Sequence, residues 1–163
     1  MRNFLTICFL SMAGSAQAAC FGGGTPMFHC TFNGGSKTVD VCLQGDIAVY
    51  SFGATDRAPD LLLARREIGV DMTPWNGVGR SIWEGITFYN NVYSYILSYS
   101  IDRNVEGAPI EGRLIVGEGD SEIAELICDI GSVTEADFYP LFEAKELSGQ
   151  RYCPETFSWG AGC

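Results

Sequence analysis

Only one histidine, His29, occurs in the 163-residue chain, so any Ser-His-Asp or Cys-His mechanism would have to run through it. It falls on an expected β-strand beside Cys30, where a lone histidine is more often an ordinary surface or half-buried residue than a general base. The G-x-S-x-G elbow, the H-E-x-x-H zinc signature and the P-loop are missing from the sequence, which leaves serine hydrolysis, zinc proteolysis and nucleotide chemistry without their fingerprints. Glu84 is the one carboxylate that strand periodicity places among apolar neighbours, Ile82, Ile86, Tyr95 and Leu97, where its ionised form is costly without a partner. Two such carboxylates would support glycoside hydrolysis. With one, Arg80, Arg103 or a tyrosine hydroxyl can satisfy Glu84 as a structural partner. Glu118, Asp120 and Glu122 gather at one turn, but a hairpin tip points alternate side chains apart and does not converge oxygens on a calcium ion. The sequence therefore predicts no metal, no cofactor and no catalytic set, and a hydrolase using Glu84 is the third of three functional readings.

Cysteine usage sets the compartment. Arg2, the mostly apolar run from Phe4 to Met12 and the small-x-small site Ala16-Gln17-Ala18 make residues 1–18 a secretory signal peptide. Gln17 occupies the place where a lipoprotein leader usually has an aliphatic residue before Cys20, so cleavage after Ala18 to give a soluble chain is favoured. Cys8 leaves with the leader, and Cys20, Cys30, Cys42, Cys128, Cys153 and Cys163 remain. An even set in an exported chain implies disulfides, with connectivity that sequence alone leaves open. The suggested pairs are Cys30 with Cys42 if Gly34 to Thr38 form a hairpin loop, Cys128 with Cys153 across the helix between them, and Cys20 with Cys163 at the termini. A tighter Gly34-Gly35 loop would separate the first pair. Zinc is disfavoured because no C-x-x-C pair accompanies the single histidine.

The mature segment, 19–163, is long enough for one domain with a single core. Loss of Arg2 leaves nine basic against 20 acidic residues, a net charge of about −11. Such a surface repels nucleic acid and anionic lipid and steers a cationic partner toward it. No later stretch approaches the ~20 uncharged apolar residues of a membrane helix. A periplasmic or secreted location without membrane insertion follows, with the oligomeric state undetermined.

The elements that must position these residues are mainly strands. Arg80 to Asp102 reads as a long hairpin turning at Asn90-Asn91, with Phe88 facing Tyr93, Ile86 facing Tyr95, Glu84 facing Leu97 and Ile82 facing Tyr99 on the core side. Its other face carries Thr87, Gly85 and Trp83 opposite Ser94, Ile96 and Ser98. Met27 to Phe32, Val39 to Leu43, Asp46 to Phe52 and Leu61 to Ala64 supply earlier strands, and Arg113 to Gly117 with Ile123 to Cys128 a later pair. Trp75, on a loop broken by Pro74 and Asn76-Gly77, is either a core plug or a binding anchor. After Gly131 the period becomes helical through Phe138, Leu141, Phe142 and Leu147, with capping-box patterns at Ser132 and Thr134 and Gly149 as a C-terminal cap. Pro140 requires a start near that residue or a kink there. The expected fold is mainly β: an antiparallel meander forming a β-barrel or barrel-like sandwich of about eight strands, with one C-terminal helix.

Ser148-Gly149-Gln150-Arg151-Tyr152 resembles the SGxRY motif of the bacterial periplasmic inhibitors of c-type lysozyme, small disulfide-bearing β-barrel proteins whose signature loop enters the lysozyme cleft. By that resemblance Ser148 and Tyr152 would contact lysozyme with Arg151 supporting the loop, so that Ser148, Gly149, Arg151 and Tyr152 make up the candidate binding set. The segment Cys30 to Cys42 also resembles, loosely, the start of small exported proteobacterial proteins of unknown function, which implies a fold family without an activity. The leading functional reading is an exported binding or inhibitory module for a cationic protein such as lysozyme, and not an enzyme. The alternative is a structural or envelope-associated protein without a small-molecule site.

Overall fold

A computed structural model describes Cys20 and residues 23–163. The expected leader, 1–18, lies outside the described residues. The first sheet opens with β1 (Thr25–Phe32) and β2 (Lys37–Gln44) around a tight turn in which Asn33, Gly34 and Gly35 all take positive φ. β3 (Ile47–Ala54) and β4 (Leu61–Arg66) extend it as a meander. A 3-10 turn, Glu67–Gly69, then carries the chain to the second sheet. That sheet holds β5 (Asp71–Thr73), β6 (Ser81–Asn90), β7 (Tyr93–Asp102), β8 (Glu111–Glu118) and β9 (Ser121–Ile127). The chain returns through β10 (Glu135–Ala136), forms α1 (Tyr139–Leu147), and ends in a ribbon of β11 (Arg151–Cys153) and β12 (Ser158–Gly160).

The described pairing gives two five-stranded antiparallel sheets, ordered β10-β1-β2-β3-β4 and β5-β6-β7-β8-β9, beside the two-stranded ribbon. The fold is mainly β and antiparallel with one helix near the C-terminus, as expected; among the described residues it has twelve strands against the expected eight or so, the four extra being the short strands β5, β10, β11 and β12. The sheets share one core because alternate residues of each strand turn inward. Phe28, Val39, Val41, Tyr50 and Leu63 come from the first sheet and Met72, Ile86, Phe88, Leu97 and Leu114 from the second. The Tyr50 ring bridges them, 5.5 Å from the rings of both Phe88 and Tyr95.

The organising hairpin forms with its faces as expected but with a different turn. Asn91 takes positive φ (57°) and Asn90 pairs with Tyr93, so the loop is Asn91-Val92. Phe88 therefore opposes Tyr95, Ile86 opposes Leu97, and Glu84 opposes Tyr99. The slip from the expected register is two residues, which preserves every inward and outward assignment.

All six cysteines among the described residues are bonded, but none of the expected pairs forms. The bridges are Cys20–Cys42, Cys30–Cys128 and Cys153–Cys163. The tight turn sets Phe32 opposite Lys37 and hence Cys30 opposite Val39. Cys42 lies three positions beyond Val39, an odd offset, so Cys30 and Cys42 point to opposite faces of the sheet. Cys30 faces the core and reaches Cys128 just beyond β9, tying the two sheets. Gly112 permits that crossing, since a Cβ there would meet the Cys128 sulfur at 2.6 Å and the Phe28 ring at 2.9 Å.

The helix starts beside Pro140, as one of the two sequence alternatives required, with Pro140 in its first turn. Neither capping-box pattern is used. Residues 132–134 are loop, Glu135 and Ala136 pair with His29 and Phe28 of β1, and Asp137 Oδ1 accepts the Tyr139 N–H at 2.9 Å.

Candidate functional site

The SGQRY segment is divided between a helix end and a strand. Ser148 ends α1: its N–H bonds the Ala144 carbonyl, and its hydroxyl donates to the Lys145 carbonyl at 2.7 Å. Gly149 follows with φ +88°, a conformation that favours glycine, and the Gln150 N–H returns to Lys145 O. Arg151 then begins β11, and Tyr152 pairs with Trp159 of β12 with the two rings 5.4 Å apart. Ser148, Gly149 and Arg151 are exposed and Tyr152 is half-buried. The Cys153–Cys163 bridge closes the ribbon.

Beneath this segment lies a residue that sequence reasoning missed. Lys145 is wholly buried, its Nζ donating to the carbonyls of Glu67 (2.9 Å) and Val70 (2.7 Å) and lying 5.0 Å from the centre of the Trp159 ring. Burial lowers its pKa, against the opposing charges of Asp71 and Glu67. Trp159 Nε1 in turn donates to the Met72 carbonyl at 2.7 Å. Helix, ribbon and the crossover between the sheets are joined at one polar knot. A lysine at the last turn of a short helix carries no sequence mark of burial.

Glu84 finds the tyrosine partner that its apolar setting demanded. Its Oε2 accepts from the Tyr99 hydroxyl at 2.7 Å and from the Phe138 N–H at 3.2 Å. Burial raises its pKa while those two donors pull it back. Arg80 is occupied elsewhere, with Asp102 at 2.6 Å, and Arg103 lies over the Trp75 ring. Trp75 itself stands outside the core and donates its indole N–H to Val78 O within its own loop.

His29 sits between two acidic neighbours in adjacent strands, Asp40 of β2 and Glu135 of β10. Its Nδ1 is 2.6 Å from Asp40 Oδ1, and this hydrogen bond raises the imidazole pKa against burial, which lowers it. Thr134, Glu135 and the Cys20–Cys42 bridge line a cavity of about 450 Å³ beside the pair. No hydroxyl nucleophile is bonded to His29 among the described residues.

A cavity of about 510 Å³ opens on the outer face of the second sheet. Its floor follows two ladder rows, Ser98, Arg113 and Ile127 in one and Trp83 and Ser100 in the other. Gly85 occupies the first row opposite Ser98 and leaves it open. Ile130, 98% exposed, and Ile127, 60% exposed, stand at one wall. Sequence periodicity had placed Trp83 and Ser98 on this outward face, but the contribution of residues 127–131 depends on a chain reversal that periodicity does not register.

Among the described residues no group of three or more histidine, cysteine or acidic side chains is arranged to hold a metal ion. No helix among the described residues is long and apolar enough to cross a membrane. The three disulfides fit an oxidising, extracellular type of environment. No family model, curated protein or solved structure matches the chain.

Proposed function

We propose that the chain is an exported binding module for a cationic partner protein. One observation carries the reading: between Arg113 and Lys145 the sequence contains eight acidic residues and no basic one. In the fold this stretch supplies the β8–β9 tip, all of β9, all of β10 and the start of α1. Its charge therefore lies where each sheet ends, on the side tied by Cys30–Cys128. The arginines of β4, Arg65 and Arg66, lie at the opposite edge of the first sheet. A one-signed flank of this kind raises the association rate of an oppositely charged partner and is weakened by salt. Glu84, whose contacts are those of a structural carboxyl, and His29, which has no bonded nucleophile among the described residues, offer less to an enzymatic reading.

The test measures association of the mature chain with c-type lysozyme and with polylysine at low and physiological ionic strength. Saturable binding whose rate falls steeply with salt is expected. Failure to bind either cationic probe at low salt rejects the reading. A narrower form, inhibition of lysozyme through Ser148, Gly149, Arg151 and Tyr152, draws on the exposure of the first three and is tested by whether muramidase activity falls on addition of the chain.

A further inference from the structure

β9 is the last strand of the second sheet, paired with β8 and with no other strand among the described residues. Six of its seven residues are exposed. Such an edge leaves backbone N–H and C=O groups open to a further strand. On the outer face it presents Glu122 and Glu125, with Ile127 at its end. Glu125 is ion-paired with Arg113 across the sheet at 3.3 Å, and the adjoining tip adds Glu118 and Asp120. Past Ile127 the edge runs directly into the 510 Å³ groove between Trp83 and Ile130.

The geometry points to β9 as a strand-addition site for an extended basic segment of another polypeptide, with lysines or arginines over Glu122 and Glu125 and one large apolar side chain in the groove. This rests on the cationic-partner reading and gives it a location. Charge decides the occupant. A second copy pairing through the same edge would bring the acidic side chains of two β9 strands and their tips together, a like-charge approach that is unfavourable, whereas a basic strand reverses the sign of that interaction. The bulge at Val116/Gly117 and the glutamates guard the edge against self-pairing. The same guard becomes a recognition element for a partner of opposite charge. Main-chain bonds would give affinity, and the groove would select the side chain that follows.

The experiment uses the mature chain and a synthetic peptide of alternating lysine and valine ending in phenylalanine. Comparison peptides replace lysine by glutamate, or carry N-methyl groups on alternate backbone amides. Expected are binding of the lysine peptide, slowing of hydrogen exchange at β9 amides by about tenfold or more, and loss of both with either comparison peptide. Glu122→Lys and Ile127→Ser, at exposed positions, should each weaken binding several-fold without unfolding the chain. Equal binding of the N-methylated peptide overturns strand addition, as does protection at another segment such as 148–152. In both cases the cationic-partner reading stands. Failure of every cationic probe to bind overturns both. Concentration-dependent self-association that protects β9 in the absence of peptide replaces the basic occupant with a second copy and overturns the assignment.

Discussion

Lys145 and Glu67 meet inside the protein: the Lys145 ammonium donates to the Glu67 carbonyl oxygen at 2.9 Å, with the two residues 0% and 2% exposed. An ammonium removed from water survives there because two carbonyls and the face of Trp159 replace its hydration. The same contacts satisfy carbonyls at the crossover between the sheets. Lys145→Met keeps most of the volume but leaves Glu67 O and Val70 O without this donor. A loss of about 2 to 4 kcal/mol in chemical denaturation is expected. A change below about 0.5 kcal/mol would show that water replaces the ammonium and that the knot is not structural.

Glu84 gives a pH dependence of known sign. Burial lifts its folded pKa above the ordinary 4.5, the Tyr99 hydroxyl and Phe138 N–H offsetting this only in part. The native state therefore holds the proton more tightly than the unfolded chain. Its stabilising effect is complete below the unfolded value and is lost as pH rises through the folded one. Glu84→Gln keeps an acceptor for both donors and cannot ionise. The stability difference, wild type minus variant, should fall as the pH rises above 4.5. A difference that rises over that range contradicts the assignment. Glu84→Leu strips both donors of their acceptor and should be worse than Glu84→Gln, whereas an isolated carboxyl would have made the leucine variant tolerable.

The three bridges should contribute unequally. Cys30–Cys128 closes a separation of 98 residues and joins the sheets, while Cys153–Cys163 closes 10 within the ribbon. Chain-entropy arguments give about 4 to 5 kcal/mol for the long closure and nearer 2 to 3 kcal/mol for the short one. Paired alanine substitutions of each bridge, compared by denaturation under oxidising conditions, should rank in that order. Equal costs would mean that native packing around Cys128 and Gly112, and not loop closure, sets the contribution.

Strand content, the single helix and the inward face of the hairpin were legible because period-two alternation survives a slip of two residues. Ile86, Phe88 and Leu97 were placed inside although their partners were misassigned. Disulfide pairing was not legible, because it turns on one odd-numbered offset: Cys30 and Cys42 lie on opposite faces once Asn33 and the two glycines close a tight turn. Lys145 was missed for a different reason. Its burial comes from elements distant in sequence, the 3-10 turn at Glu67–Gly69 and Trp159, and no local pattern records them. Ser148 and Tyr152 were found by a motif, yet within the fold one ends a helix and the other packs on an indole.

Those structural roles make Arg151 the informative position in the SGQRY segment. Gly149→Ala meets no atom within 4 Å, so its cost is that of a side chain at φ +88°, about 1 to 2 kcal/mol. Tyr152→Ala loses the Trp159 contact and should destabilise the ribbon by about 1 to 3 kcal/mol. Loss of lysozyme inhibition in either variant would thus have two explanations. Arg151 is exposed, and Arg151→Ala should leave the melting temperature within about 2 °C of wild type. If the segment enters an enzyme cleft, this variant should lose inhibition while staying folded. If neither the wild type nor Arg151→Ala affects the muramidase, the segment serves the helix end and the ribbon, and recognition must be sought along β9.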